Sequence, residues 1–490
     1  MIADLKPYPA MKDSGVPWLE HVPEHWAVHR LRDSVEACIN GIWGNEPNGR
    51  DDLPCVRVAD FDRQSLRVRL AHPTIRAITP SERGRRLLKK GDLLLEKSGG
   101  GDQQPVGVVV LYEHDVPAVC SNFVARMPLS DGFDSCYVTY LHAFLYAIRL
   151  NIRSIKQTIG IQNLDSAAYL SESVAFPPLN EQELIARYLD YMDRDIRQCI
   201  RGKQKLIKLL EEQKRGIVHR TVTHGLDPNV RLNPSGVEWL GNVPEHWEVV
   251  PLKFLSRRIQ NGATPPTSEE FFYEGGTTPW FGPSSIGTSV EVSAPVRYLA
   301  DSAFVAGKAR LIQGPAVLIV VIGATAGRMA LLSGEGSTNQ QLTAFELRTD
   351  VVMPEFAIHQ LRSAENWLRA TASTATIPIL DSGTVSRLSV AVPPLFDEQA
   401  AIVSFLEDAT ANIDSTINRA KQEISLLGEY RARLIADVVT GKLDVREAAA
   451  NLPDEISQEE TVLDDAAEWF EDDLEDSDSS VEVALEEVDA

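Results

Sequence analysis

The sequence predicts a mixed α/β (α+β) protein written as a tandem internal repeat. Two α/β domains are expected, separated by two long helices packed as an antiparallel coiled coil. Three observations carry this expectation. The phrase "GVPWLEHVPEHW" (15–26) returns as "GVEWLGNVPEHW" (236–247), with nine of twelve positions identical. "FPPLNEQELIARYLDYM" (176–192) is answered by "VPPLFDEQAAIVSFLEDA" (392–409), and "VTHGLD" (222–227) by "VTGKLD" (439–444). Between the Trp-rich phrase and the Pro-Pro-Leu of each copy, the two halves differ greatly.

The repeated phrase reads as structural. Two domains that bind different partners should differ where they bind, and here they agree. Trp18, Trp26, Trp239 and Trp247 are expected to anchor the first strand of each domain through their large aromatic area, with Pro23 and Pro244 fixing the bend. His21, His25 and His29 have the spacing of a helical metal site. Pro23 sits among them, however, and the second copy has Asn242, His246 and Val250 there. Only the middle histidine recurs, so a structural role is expected for His25 and His246.

Each variable stretch alternates short β-type runs with Gly, Pro, Asn and Ser clusters. Residues 88–111 and 311–332 both read as an apolar strand, a Gly-rich turn and a second apolar strand; 120–127 and 339–347 are again strand-like. Helical patterns follow at 137–149 and 354–370.

After Pro-Pro-Leu the period changes. Ile185, Leu189, Met192, Ile196, Cys199, Leu206, Leu210 and Ile217 form a heptad seam broken by Lys203 and Gln213. Ile402, Leu406, Ala409, Ile413, Ile417, Ala420, Ile424, Leu427 and Leu434 form a second one. The prolines at 177–178 and 393–394 stop each helix at its start, the Glu-Gln suits its first turn, and Gly225 and Gly441 mark its end. Each helix of roughly 40 residues would be ~60 Å long. Two separate core helices are the alternative.

Composition bounds the rest. The 490 residues suffice for two to four domains. No apolar run reaches membrane length and the N-terminus has no signal-like apolar segment, so the cytoplasm is the default. Cys38, Cys55, Cys120, Cys136 and Cys199 form no CxxC pair and are expected as reduced thiols. Residues 447–490 hold 18 acidic and no basic residues, which leaves −4 of the total charge of −22 for residues 1–446. That body is neutral enough to bind nucleic acid if its cations cluster. No P-loop, Asn-Pro-Pro-Tyr, G-x-S-x-G or H-E-x-x-H motif is present, so no catalytic residue and no metal ligand is assigned.

The doubled order of Trp phrase, variable domain, Pro-Pro-Leu-x-Glu-Gln and long helix resembles the specificity (S) subunit of Type I restriction–modification enzymes, over about residues 14–446. "NGATPPTSEEFFYEGGTTPW" (261–280) also looks like the family's opening of a target-recognition domain. The first domain, from "NGIWGNEPNGRDDLPCVRVADF" (40–61), lacks the Thr-Pro, and the acidic tail lies outside the family pattern.

The resemblance implies target-recognition domains at 14–178 and 236–394, conserved spacer helices at 179–230 and 395–446, and an acidic, disordered tail at 447–490. It implies a non-catalytic DNA-binding subunit whose two domains each bind one half of an asymmetric bipartite double-stranded DNA site. The helices would dock methyltransferase (M) subunits, two in number, and set the half-site spacing. Restriction (R) subunits would join the complex. S-adenosylmethionine, ATP and Mg would be held by the partners and no cofactor by this chain. The subunit would be required for both adenine methylation and restriction. Half-sites one helical turn apart, ~34–36 Å, lie within reach of such helices.

Base reading needs amides, hydroxyls and cations at groove edges. In the first domain the candidates are Lys97, Ser98, Gln103 and Gln104 in the Gly-rich loop, then Lys156, Gln157, Gln162 and Asn163. In the second they are Thr264, Thr267, Ser268, Arg328, Asn339, Gln340 and Gln341, with Thr374 and Thr376 from "TASTATIPIL", which occupies the place of "IKQTIGIQNL". Ordinary turn chemistry is the competing account of each. For the tail, a solubilising segment competes with a phosphate mimic docking through Trp469 and Phe470. Two other functions compete: a coiled-coil scaffold whose α/β domains bind proteins, and a self-sufficient restriction enzyme, which the missing motifs disfavour.

Overall fold

Each variable domain folds around a β-sheet, and a separate pair of strands beside the repeated phrases closes it. The computed structural model describes residues 5–101, 103–158, 161–372 and 378–453. The chain divides into two units, one of residues 1–203 with 421–456, the other of 204–420.

The first unit contains β1 (Ala27–Arg30), β2 (Ile39–Asn40), β3 (Asp52–Val56), β4 (Phe61–Asp62), β5 (Arg67–Val68), β6 (Thr74–Ala77), β7 (Leu93–Glu96), β8 (Ser98–Gly99), β9 (Val109–Leu111), β10 (Val119–Cys120) and β11 (Val124–Met127). Helix α1 (Ser135–Ala147), β12 (Ile155–Thr158), β13 (Ile161–Leu164), β14 (Ser173–Phe176) and the start of α2 (Leu179–His224) follow. The main sheet has the order β2-β11-β7-β9-β5-β4, and β10-β3-β6 forms a second. Leu93, Leu95, Val109 and Leu111 face α1, where Tyr137, Tyr140 and Leu141 are buried. Leu94, Val110, Tyr112 and Val124 line the other face, as period-two alternation requires.

The second unit repeats this frame with β15 (Glu248–Pro251), β16 (Ser256–Asn261), β17 (Thr278–Phe281), β18 (Arg297–Leu299), β19 (Ala316–Val320), β20 (Met329–Leu332), β21 (Glu335–Thr338), β22 (Leu342–Leu347), α3 (Pro354–Ser363) and β23 (Ser389–Val392), followed by α4 (Phe396–Val439). The main sheet is β16-β22-β19-β20. In both units the strand after the Trp phrase pairs antiparallel with the strand before Pro-Pro: Ala27 opposite Phe176, and Glu248 opposite Val392.

The Trp phrases explain themselves through the Glu-Gln of the helices. Trp26 Nε1 donates to Glu181 Oε1 at 2.9 Å, Tyr8 Oη donates to the same oxygen at 2.7 Å, and His25 Nε2 lies 2.7 Å from Glu181 Oε2. In the second unit, Trp247 Nε1 donates to Glu398 Oε1 at 2.9 Å and His246 Nε2 lies 3.0 Å from Glu398 Oε2. The neighbouring glutamines bond outward. Gln182 Nε2 donates to Pro177 O and its Oε1 accepts from Asp134 N, at the start of α1. Gln399 does the same with Pro393 O and Met353 N, at the start of α3. Glu-His-Trp and Glu-Gln are thus two halves of one hydrogen-bonded clasp, built twice.

The helices run antiparallel in the first unit, where Arg431 pairs with Asp193 and Lys203 Nζ lies 2.5 Å from Glu423 Oε2. In the second, Lys214 Nζ donates to Asp414 at 2.6 Å. Ile402, Leu406, Ile413, Ile417, Ala420 and Leu434 are buried, as the spacing predicts. The α2 seam needs a correction. Cys199 is exposed and Leu206 is 44 % exposed, while Ile200, Lys203, Ile207, Leu210, Lys214 and Ile217 are half-buried. The step from Met192 to Ile196 to Ile200 is four and four. That follows the 3.6-residue turn, and it moves the seam by one residue. Lys203 and Lys214 remain in it because each meets an acid on α4. Both helices end where expected, on Gly225 (φ +75°) and Gly441 (φ +73°).

The tail boundary also moves. Arg446–Ala450 forms a helix, α5, with Ala449 fully buried and Leu452 packed on the core of the first unit. Arg187 Nη2 donates to the carbonyls of Leu452 and Pro453 at 2.8 and 3.0 Å. Charge alone placed these residues in the tail, whereas the apolar face of α5 places them in the fold. The remaining acidic stretch, with Trp469 and Phe470, lies outside the described residues. A chain ending at Arg446 is expected to lose roughly 2–4 kcal/mol of stability, by loss of buried apolar groups and of the two carbonyls that accept from Arg187. A chain ending at Pro453 should melt like the full protein. Thermal unfolding of both truncations decides this, and equal melting would refute the boundary.

Candidate nucleic-acid interface

One glycine in each unit sets the backbone from which the candidate loops project. Gly41 N donates to Val124 O and Gly262 N to Leu342 O, both at 3.0 Å. The next residues repeat the match: Ile42 N to Cys120 O at 2.7 Å, Ala263 N to Thr338 O at 2.8 Å. A Cβ on Gly41 would lie 2.2 Å from Cys120 O, and one on Gly262 would lie 2.0 Å from Asn339 O. Only glycine permits so close a crossing. Two further bonds complete the frame. Lys97 N donates to Phe123 O and Leu164 N to Lys97 O; Val321 N donates to Gln341 O and Leu380 N to Val321 O. The bonded positions of Leu164 and Leu380 agree with the matching of "IKQTIGIQNL" to "TASTATIPIL".

In the first unit this frame gathers Lys97, Ser98 and Asn163. Ser98 Oγ donates to Asn163 Oδ1 at 2.6 Å, and Lys97 Nζ to Asn40 Oδ1 at 2.5 Å. Gln103 and Gln104 are exposed at the tip of the Gly-rich loop, where Gly101 N donates to Gln104 O. Lys156 Nζ donates to Asp165 Oδ2 at 2.7 Å, and this bond lowers the Asp165 pKa. Gln157 lies on β12 opposite Gln162. Gln162 is 7 % exposed, and its Oε1 accepts from Val106 N at 3.3 Å. With Asn151 Nδ2 donating to Val106 O at 2.7 Å, it clamps the base of the Gly-rich loop.

In the second unit the frame gathers Thr264, Asn339, Gln340 and Gln341. Thr264 Oγ1 donates to Gln340 Oε1, Asn339 Nδ2 donates to Gln341 Oε1 at 2.8 Å, and Gln341 N donates to Asn339 Oδ1 at 3.1 Å. Thr264 and Gln340 are exposed. Thr267 and Ser268 are exposed in the following turn. Arg328 closes the Gly323–Gly327 turn, its N donating to Thr325 O. Thr374 and Thr376 lie outside the described residues. An amide rim of this kind can present paired donors and acceptors to a base edge.

Sequence reasoning passed over Gly41 and Gly262. The signal was available, because Asn-Gly stands at 40–41 and again at 261–262, the same 221 residues apart as the Trp phrases. No group of His, Cys, Asp and Glu able to hold a metal occurs among the described residues, and His21, His25 and His29 are all exposed.

Residues 244–426, which include Thr264, Arg328 and the 339–341 rim, match the family model of the Type I restriction modification DNA specificity domain. The chain is 21% identical over 432 residues to a protein of Methanocaldococcus jannaschii described as the type I restriction enzyme MjaX specificity subunit, covering 87% of this chain and 95% of that one. It is 31% identical over 105 residues to the Escherichia coli type I restriction enzyme EcoBI specificity subunit, covering 21% and 22%. A chain from a solved type I R-M system shares the fold, with a TM-score of 0.65 at 16% identity over 86% of this chain and 99% of that one. In its doubled clasp, its two long helices and these matches the chain is similar to the specificity subunits of Type I restriction–modification enzymes.

Proposed function

We propose that this chain is the DNA-reading subunit of a Type I restriction–modification complex, with each unit binding one half of an asymmetric bipartite site. One observation carries this reading: the two units share the clasp, sheet and glycine crossing but differ at the rim those features hold out. A reader of two unrelated half-sites requires a common frame with divergent surfaces. The subunit makes no bonds itself; methyltransferase and restriction subunits supply the chemistry, with two methyltransferase copies docked on the helices. No described helix is long and apolar enough to cross a membrane, and the cytoplasm, where the DNA is, is the proposed site of action.

The test is methylation mapping in cells with and without this chain. A gapped adenine-methylated motif should vanish on deletion, and the double variant Asn339→Ala, Gln340→Ala should relax one half of it only. A methylome that ignores the deletion would sink the reading. Capture of proteins without any effect on DNA would favour a scaffold instead.

A further inference from the structure

The shared frame also shows what stands in the first unit where the second has its amide rim. Ile42 corresponds to Ala263 and Lys97 to Val321 by their backbone bonds. Trp43 therefore takes the place of Thr264, and Phe123 that of Gln341. Both aromatic side chains are exposed, Trp43 at 39 % and Phe123 at 49 %. Neither is loose. The Arg76 guanidinium lies 4.7 Å from the Trp43 ring centre, and its Nε donates to Trp43 O at 3.2 Å. Glu46 holds the far side of that guanidinium at 2.5 Å. Asn45 and Ala77 exchange backbone bonds at 3.0 and 2.9 Å, which pins the loop to β6. Phe123 O accepts from Lys97 N at 2.7 Å and Ser98 N at 3.2 Å, so the ring projects from beside the Lys97–Asn163 group.

We infer that Trp43 and Phe123 read the first half-site by apolar contact with thymine methyl groups in the major groove. An amide or hydroxyl reads a base by hydrogen bonds, whereas a phenyl ring has none to give and an indole offers a single N–H donor beside a large apolar face. The thymine methyl is the one apolar group on a major-groove base edge. Lys97, beside Phe123, supplies a cation for the adjoining phosphate. The two half-sites are thus read by different chemistry on one frame, amide in the second unit and aromatic in the first. This rests on the DNA-reading function proposed above.

The test uses the full chain with its methyltransferase subunit and a pool of randomised duplex DNA. The wild type should enrich a bipartite site. The double variant Trp43→Ala, Phe123→Ala should still enrich the half read by the second unit, which shows that it is folded, and should lose one or two A·T positions from the other half. Duplexes with uracil for thymine at those positions should bind the wild type about three- to tenfold more weakly and the variant without further loss. Unchanged preference in the variant, a wild type indifferent to uracil, or a uniform loss of affinity with preference intact would overturn the inference while leaving DNA reading in place. A wild type that enriches no duplex would overturn both.

Discussion

Glu181→Ala should destabilise the first unit by about 3–5 kcal/mol, more than any other single loss in the clasp. Its carboxylate is 5 % exposed and accepts from Tyr8 Oη and Trp26 Nε1, both buried. Removing it leaves two buried donors without an acceptor and opens the junction between the Trp phrase and α2. The His25 ring is 42 % exposed and can turn to water, so it adds little. Glu398→Ala should cost less, about 1–3 kcal/mol, because Glu398 is 27 % exposed and takes one indole and one exposed imidazole. Hydrogen exchange of α1 against α3 reads the two units separately. Equal losses, or a larger one at Glu398, would refute the clasp as the source of the stability.

Gly262→Ala should separate β16 from the 338–341 loop. Its Cβ would stand 2.0 Å from Asn339 O and 2.3 Å from Thr338 O, both backbone atoms that cannot turn aside. The crossing bonds from Gly262 N and Ala263 N should then break, for a loss of about 2–4 kcal/mol in the second unit. The functional effect should be sharper, because Thr264 and Gln340 no longer meet. Preference at one half-site should vanish while the other half-site is retained. Gly334→Ala is the control: its Cβ would meet nothing within 4 Å. If Gly262→Ala binds and selects DNA as the unaltered chain does, the crossing does not position the rim.

Much of this protein was legible because it was written twice. The repetition of Trp-Leu, Val-Pro-Glu-His-Trp and Pro-Pro-Leu-x-Glu-Gln separates scaffold from variable surface without any other sequence. Helix starts at the prolines, helix ends at Gly225 and Gly441, and the α4 seam also follow from local chemistry. The α2 seam was misread at Cys199 and Leu206. An apolar residue at heptad spacing gives no sign that an extra four-residue step has turned it to solvent. That Gln162 clamps Val106 was not legible for a similar reason, since an amide in a polar stretch looks the same whether or not it bonds the backbone.

The sequence by itself determined that two like units and two long amphipathic helices exist, and which residues repeat. Period, proline, glycine and repetition are properties of neighbours along the chain. Only the tertiary structure decided that Glu181 is the acceptor for Trp26 across 155 residues, that Gly41 and Gly262 cross a strand end, and that Trp43 stands where Thr264 does. These depend on which backbone carbonyl and which side chain meet in space, and beyond the repeated Asn-Gly such contacts leave no mark on local pattern.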